Sequence, residues 1–300
     1  MNPIVALRTL RRSNLVNLYE TVTDTILEAL KRGVIPWRKP WDASVSLPVN
    51  AISNRAYRGV NTFLLSLSPY TDHRWLTFKQ VQEKGGRVRP GERSTMVVFW
   101  KRWEPAKDAQ DPDNTPKPHA PLLRYFNVFN AEQAEGLELP ELYRSEPRTE
   151  HQRIECADLL VEAMPDRPTI REGGKAAWYR PADDLINIPP LAKFQTPDAY
   201  YATLFHELGH ATGHEKRLNR SGVTQAIQFG SGEYSKEELV AELTSAFCCA
   251  TVSLDNSLVE DSASYIDGWL SVLRGDHKAV VIAAAQAQRA ADYIRGVTYQ

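Results

Sequence analysis

Tyr200 to His214 reads YYATLFHELGHATGH, and the rest of the chain is organised around this stretch. It contains His206-Glu207-Leu208-Gly209-His210, the H-E-x-x-H spacing. On a helix, residues four apart lie one turn apart on the same face. His206 and His210 can therefore present two imidazole nitrogens to one metal ion. Glu207 falls about 100° round the helix, at the rim of that face, where a carboxylate can take a proton from water. Thr196-Pro197 supplies an N-cap followed by a proline at the first helical position. Gly213 fits the C-terminal stop. Only three positions of the pattern are fixed, so a chance occurrence without metal is the competing reading. A third, acidic ligand at a workable place decides between them.

The chain has 300 residues, enough for two domains of ordinary size or one large one. An apolar share of 42% and a charged share of 24% are those of a soluble globular protein. No apolar run reaches about 18 residues, so no membrane partner is expected. The first residues, MNPIVALRTLRRSNLVNLYE, place arginines after a short apolar stretch and do not read as a secretory signal. Cys156, Cys248 and Cys249 make an odd set, two of them adjacent in an apolar run. That argues against a disulfide framework and for a reducing, cytoplasmic setting.

The net charge of −1 hides an asymmetry. Residues 1–104 carry 17 Lys+Arg against 8 Asp+Glu, a net of +9, and the remainder a net of −10. A basic half joined to an acidic one points to a polyanionic partner for the first, although a solvated basic face fits charge alone. In this half, helical spacing of apolar residues runs from Leu15 to Lys31 and stops at Gly33. A short helix is expected around Phe63 to Leu67, another after Arg74–Gln80, and strands over Thr95–Trp100 and Leu122–Phe129. The Pro- and Asp-rich residues 104–121 between those strands read as an exposed loop.

Single-stranded nucleic acid asks a protein for cations along the phosphates and aromatic faces for the bases, each stack contributing about 1–3 kcal/mol. Trp37, Arg38, Lys39 and Trp41 interleave both types between two prolines. Arg55, Tyr57, Arg58, Trp75, Arg87, Arg89, Arg93 and Trp100 repeat the mixture. Any one tryptophan reads as core, since Trp is highly buried on average. The cluster as a whole reads as a surface for single-stranded nucleic acid.

PWRKPW, the stretch from Asn50 through Tyr57-Arg58-Gly59-Val60-Asn61, WLTFKQ, GGRVRPGE and VFN-A-EQ resemble the N-terminal domain of the ArdC antirestriction family. That domain also begins the TraC-type primases of conjugative plasmids. The resemblance continues through HELGHATGH, RLNR and EELVAEL into the family's C-terminal domain, and covers nearly the whole chain from about residue 15. It implies an α+β chain: a single-stranded-DNA-binding domain, taken as residues 1–145, followed by a zincin-like metallopeptidase domain of the gluzincin type, residues 146–300. It also implies one Zn2+ per chain, or another divalent metal in its place, a mobile-element origin, and a role in protecting incoming DNA from restriction. TraC primases extend beyond this length, so the chain looks like the short ArdC form.

The second half opens with a helix expected over His151–Met164, then strand, turn and strand between Pro168 and Pro190. Zincin folds set a strand edge beside the metal helix, where an extended peptide can pair. Asp184 to Ile188 is the candidate by position, and an interior strand is equally compatible. A helix from about Ser235 to Val252 carries Glu237, Glu238 and Glu242. In many gluzincins this helix reads Glu-x-x-small-acidic, the first Glu binding zinc and the second acid orienting a histidine. Glu238-Leu239-Val240-Ala241-Glu242 resembles it, which makes Glu238 the third ligand and Glu242 its outer partner. Ser235-x-x-Glu238 is also a capping box, and if Glu238 is used there Glu242 becomes the ligand.

Glu237 reads as solvated, His214 as structural, Arg217 and Arg220 as braces of the metal helix, and Tyr234 as a hydrogen-bond donor to an oxyanion. Two apolar-striped helices close the chain. Three functions remain open at this stage. The chain is a peptidase that uses Glu207 as general base on protein bound to DNA, or a non-catalytic DNA-coating protein with a structural metal, or a primase accessory factor.

Overall fold

The computed structural model describes residues 18–38, 47–101, 122–140, 149–225, 231–257 and 263–297. The first helix, α1 (18–31), buries Val22, Ile26, Leu27 and Leu30 at helical spacing. It closes at Gly33, whose φ of 75° lets Gly33 N–H reach the Leu30 carbonyl and Val34 N–H the Ala29 carbonyl.

A four-stranded mixed sheet follows in the order β1-β2-β5-β4, from β1 (Val49–Asn50), β2 (Arg74–Thr77), β4 (Thr95–Lys101) and β5 (Leu122–Asn130). Helix α2 (Val60–Ser66) packs against it, and the Asn61 side chain bonds both the N–H and the C=O of Val98 on the edge strand. Short helix α3 (Phe78–Glu83) starts at a Thr77/Gln80 capping box, and Asn130/Gln133 form a second box after β5. The quoted WLTFKQ and VFN-A-EQ stretches thus earn their residues as helix starts. Residues 74–77 form a strand that the sequence reading left unassigned. Strands β3 (Arg87–Val88) and β6 (Ala134–Glu135) make a separate pair.

In the second half, α4 (Glu150–Glu162) precedes a three-stranded sheet ordered β7-β9-β8, from β7 (Thr169–Glu172), β8 (Trp178–Arg180) and β9 (Leu185–Ile188). Strand β9 pairs with β7 on one side and β8 on the other, so Asp184–Ile188 is the interior strand and not the edge. Asp184 itself stands before it at a positive φ of 46°. Helices α5 (Pro197–Ala211), α6 (Ser221–Thr224), α7 (Gly232–Val252), α8 (Ala263–Gly275) and α9 (Ala279–Ile294) complete the chain. Helix α7 starts a turn before the expected Ser235, capped by Ser231, so Ser235 caps nothing and Glu238 lies inside the helix.

One hydrophobic cluster runs through both halves: Val22, Trp37 and Phe63 share it with Phe205, Phe247 and Trp269. Trp37 meets Trp269 edge-on at 5.3 Å and Phe63 at 6.2 Å. Trp75 lies in a smaller cluster with Leu65, Val97 and Val128. Both tryptophans are core residues with no free face for a base, which corrects their assignment as DNA contacts. The expected division at residue 145 falls in 141–148 and the expected loop in 102–121, both outside the described residues.

Candidate metal centre

Helix α5 begins where Thr196 caps it and Pro197 fixes its first turn. It packs on α7 at very close range. A Cβ on Gly209 would lie 3.0 Å from the Ala241 Cα and 3.2 Å from its carbonyl oxygen. Two small residues, Gly209 and Ala241, therefore set the spacing that brings the acids of α7 to the histidines of α5. Gly213 acts by size as well. Its φ is not positive, and a Cβ there would lie 2.5 Å from the Val223 side chain.

The two histidines meet at Nε2, 3.2 Å apart. The Glu238 carboxylate faces the same point, 3.3 Å from His206 Nε2 and 3.6 Å from His210 Nε2. Glu242 faces the other nitrogen of His206, Nδ1, at 3.1 Å. Glu237 faces His210 Nδ1 at 3.4 Å. Among the described residues, His206, His210 and Glu238 are the group of three donors close enough to share one ion.

Each outer carboxylate is held by an arginine. Arg220 bonds Glu237 through Nη2 at 2.6 Å and Nε at 3.1 Å, and also reaches the Gly209 carbonyl at 2.7 Å. Arg38 bonds Glu242 through Nη2 at 2.7 Å and Nε at 3.1 Å. Glu237 is thus buried and ion-paired, against the expectation of a solvated side chain, because Arg220 and Gly222 pack against its face of α7. Arg38, expected on phosphate, is likewise engaged inside the protein. Its side chain is only 9% exposed.

Burial alone would lower both histidine pKa values. Hydrogen bonds from Glu238 and Glu242 outweigh it at His206, whose pKa lies well above its ordinary value. Glu237 and Glu238 raise His210 to about 9. Burial would conversely raise the three carboxyls, yet the facing imidazoles, with Arg220 and Arg38, hold Glu237, Glu238 and Glu242 below the usual range.

Glu207 opens onto a cleft of about 390 Å³ lined also by His206, His210, Glu238, Tyr234, Val223 and the β8 residues Trp178 and Tyr179. Among the described residues, no hydrogen bond or ion pair engages its carboxylate. Arg217 bonds the Ala211 carbonyl at 2.6 Å and Asp184 on the sheet, and so braces the end of α5 as expected. His214 is buried and accepts from Lys216 N–H at 3.2 Å, a structural role.

The candidate DNA contacts do not form one patch. Trp37, Trp75 and Arg38 are internal. Arg58 pairs with the buried Asp292, Arg87 with Glu135 at 2.6 Å and Arg89 with Glu92 at 2.6 Å. Tyr57 is half-buried against the Trp75 cluster, and Arg55 is exposed. Lys39 and Trp41 lie outside the described residues. The expected Trp100 and Arg93 are exposed, and further exposed aromatic side chains lie on the antiparallel strands β4 and β5. Phe99 and Phe126 stack at 4.6 Å with rings 6° from parallel, and Trp100, Tyr125 and Phe126 are 44%, 52% and 54% exposed. The signal was present in Arg124-Tyr125-Phe126-Asn127, four successive residues that all stay exposed where a half-buried strand would alternate.

Comparison with known proteins places the chain. Residues 16–129 match the family model of the N-terminal domain of the anti-restriction factor ArdC, and residues 156–286 match a zincin-like metallopeptidase model. An uncharacterized protein of Sinorhizobium fredii, y4eC, is 39% identical across 93% of this chain and 91% of its own length. A DNA primase TraC of Escherichia coli is 36% identical across 92% of this chain, which spans 27% of that primase. Crystal structures of the antirestriction protein ArdC from plasmid R388 superpose closely. The metal-free one has a TM-score of 0.74 at 34% identity, covering 93% of this chain and 96% of that one. The Mn(II)-bound one has a TM-score of 0.73 at 33% identity, covering 94% and 99%. The sequence, the two-part architecture and the solved relatives agree, and the chain belongs to the ArdC antirestriction family.

Proposed function

We propose that the chain is a single-stranded-DNA-binding antirestriction protein whose zincin-like domain is a metal-dependent peptidase. The observation that carries the metal reading is the convergence of His206 Nε2, His210 Nε2 and the Glu238 carboxylate: the two nitrogens are 3.2 Å apart, Glu238 Oε2 is 3.3 Å from His206 Nε2, and Glu238 Oε1 is 3.6 Å from His210 Nε2. Donors bound at about 2.1 Å to one tetrahedral ion lie about 3.4 Å apart, so this donor set fits. His206, His210 and Glu238 would hold the ion, and Glu242 and Glu237 would fix the Nδ1–H tautomers that leave Nε2 free. Zn2+ suits two imidazoles and one carboxylate, and the Mn(II)-bound relative supports a divalent ion in general.

When bound, such an ion supplies Lewis acidity, polarising a carbonyl and acidifying water. Glu207 then accepts a proton from water and returns it to the departing amine, work that its carboxylate, open to the cleft, is free to do. Tyr234, on the first turn of α7, lines the same cleft and would donate to a developing oxyanion. Strand β8 replaces Asp184–Ile188 as the peptide-pairing edge, since it lines the cleft and pairs with β9 alone among the described strands.

For DNA, the net of +9 over residues 1–104 and the exposed aromatic side chains of β4 and β5 support the reading. Phe99, Tyr125, Phe126 and Arg124 join the expected Trp100, Arg55 and Arg93 as candidate stacking and phosphate contacts, in place of the buried tryptophans. A cytoplasmic setting is supported by three free cysteines, two of them buried. Burial raises the Cys248 thiol to about 12. No described helix is long and apolar enough to cross a membrane.

The deciding experiment loads wild type and Glu207→Gln with Zn2+ or Mn2+ and adds single-stranded DNA with DNA-bound protein. Cleavage by wild type, reduced about a hundredfold or more in the variant, supports the peptidase. Full antirestriction by a metal-loaded Glu207→Gln protein contradicts a proteolytic basis for that role and leaves coating of the DNA as its mechanism.

A further inference from the structure

Arg38 stands 204 residues before its partner Glu242 and belongs to the N-terminal half, yet it is part of the framework of the metal centre. The peptide that joins Trp37 to Arg38 is held at both its carbonyl and its N–H. The Trp37 carbonyl accepts from the buried Asn256 amide at 2.9 Å, the Trp37 ring is fully buried against Trp269 and Phe63, and Arg38 N–H bonds the Ile35 carbonyl at 3.0 Å. The guanidinium is therefore delivered to Glu242 from a fixed base. The two oxygens of Glu242 divide their work. Oε1 takes both Arg38 contacts, and Oε2 faces His206 Nδ1 at 3.1 Å.

We infer that Arg38 is a positioning residue of the metal centre: it fixes Glu242, which orients His206. The inference rests on the metal-binding reading above. Two carboxylates, Glu238 and Glu242, flank one imidazole. If both were free to move, they would compete for the ion and for His206. The arginine binds one of them so that only Glu238 is left to turn toward Nε2. A carboxylate on Nδ1 keeps the proton there and makes Nε2 the better donor. A mobile Glu242 would lose that direction.

The experiment measures Mn(II) affinity by calorimetry, and the visible spectrum of the Co(II)-loaded protein, for wild type, Arg38→Met, Arg38→Lys, Glu242→Gln and the Arg38→Met/Glu242→Gln double variant. Arg38→Met is expected to weaken Mn(II) binding about ten- to a hundredfold and to shift the Co(II) bands. Arg38→Lys, which keeps the charge but has no fork of N–H donors, falls between. In the Glu242→Gln background the Arg38→Met change adds nothing further. A role in stability alone would lower the melting temperature and leave Mn(II) affinity and the Co(II) spectrum unchanged, and that result overturns the inference. If Arg38→Met does not fold, wild-type affinity in Arg38→Lys overturns it equally. Failure of wild type to bind Mn(II) removes the metal reading itself, a different outcome that this set separates.

Discussion

Arg220 and Arg38 hold the carboxylates behind the two candidate metal-binding histidines, Arg220 from 17 residues before Glu237 and Arg38 from 204 residues before Glu242. The Arg220 arm is local and tightly woven. Its guanidinium reaches Glu237, the Gly209 carbonyl and the Thr212 hydroxyl, tying the end of α5 to α7 within one domain. The Arg38 arm touches the centre through Glu242 and enters from the other half of the chain. Both arms face an imidazole Nδ1, so they are equivalent chemically and differ in what carries them. Local sequence fixes the first, whereas the second exists only where Trp37 packs into the core shared by the two halves.

Removing the shared ligand gives the largest effect. Glu238→Gln is expected to reduce metal affinity beyond about a hundredfold, while Glu242→Gln and Glu237→Gln each cost about ten- to a hundredfold. Calorimetry on the three variants side by side checks the ranking, and a larger loss in Glu242→Gln would exchange the roles of the two acids.

The next effect separates the arms by stability. Arg220→Met leaves buried Glu237 without its cation and two acceptors of α5 without their donor, and is expected to cost about 3–5 kcal/mol in denaturant unfolding. Arg38→Met should cost less, because Glu242 retains His206. Equal losses would mean that the distant arm carries as much of the fold as the local one.

Gly209→Ala comes third. Both arms depend on the approach of α5 to α7, and a methyl 3.0 Å from the Ala241 Cα forces them apart. An unfolding cost of about 1–3 kcal/mol is expected, with weaker metal binding at both histidines together.

The smallest effect is a pH dependence at Asp184, which Arg217 links to the C-terminal end of α5. Burial would raise the Asp184 carboxyl, but Arg217 and Tyr179 bond to it and hold it below its ordinary value. A depressed folded pKa contributes stability above the unfolded value, about 3.9, and that contribution is lost as pH falls through the folded pKa. The melting-temperature difference between wild type and Asp184→Asn should therefore be full at neutral pH and shrink progressively below about pH 4. A difference that grew on acidification would contradict the depressed pKa.

Much of the centre was legible because its elements are local. H-E-x-x-H fixes the geometry of one helix, Thr196-Pro197 its start, and Glu238 with Glu242 a second face. What was missed depends on long-range packing. Composition treats Arg38 between two tryptophans as a cation beside two aromatic faces. Whether such residues face water or a core depends on elements more than 200 residues away, and no local period records that. Glu237 was misread because its burial comes from Arg220 and Gly222, on a separate segment that packs against α7, which the helical period of α7 does not record. The sequence left β9 open between edge and interior because a run as short as Leu-Ile-Asn-Ile fits either, and only its pairing with both β7 and β8 decides.

The most direct test of the centre is an anomalous-scattering crystal structure of the protein soaked with Mn(II) or Zn2+. The expected result is one ion bound by His206 Nε2, His210 Nε2 and Glu238, with Glu242 on Arg38 and Glu237 on Arg220. An ion coordinated by Glu242 or Glu237, with its arginine displaced, would contradict the account.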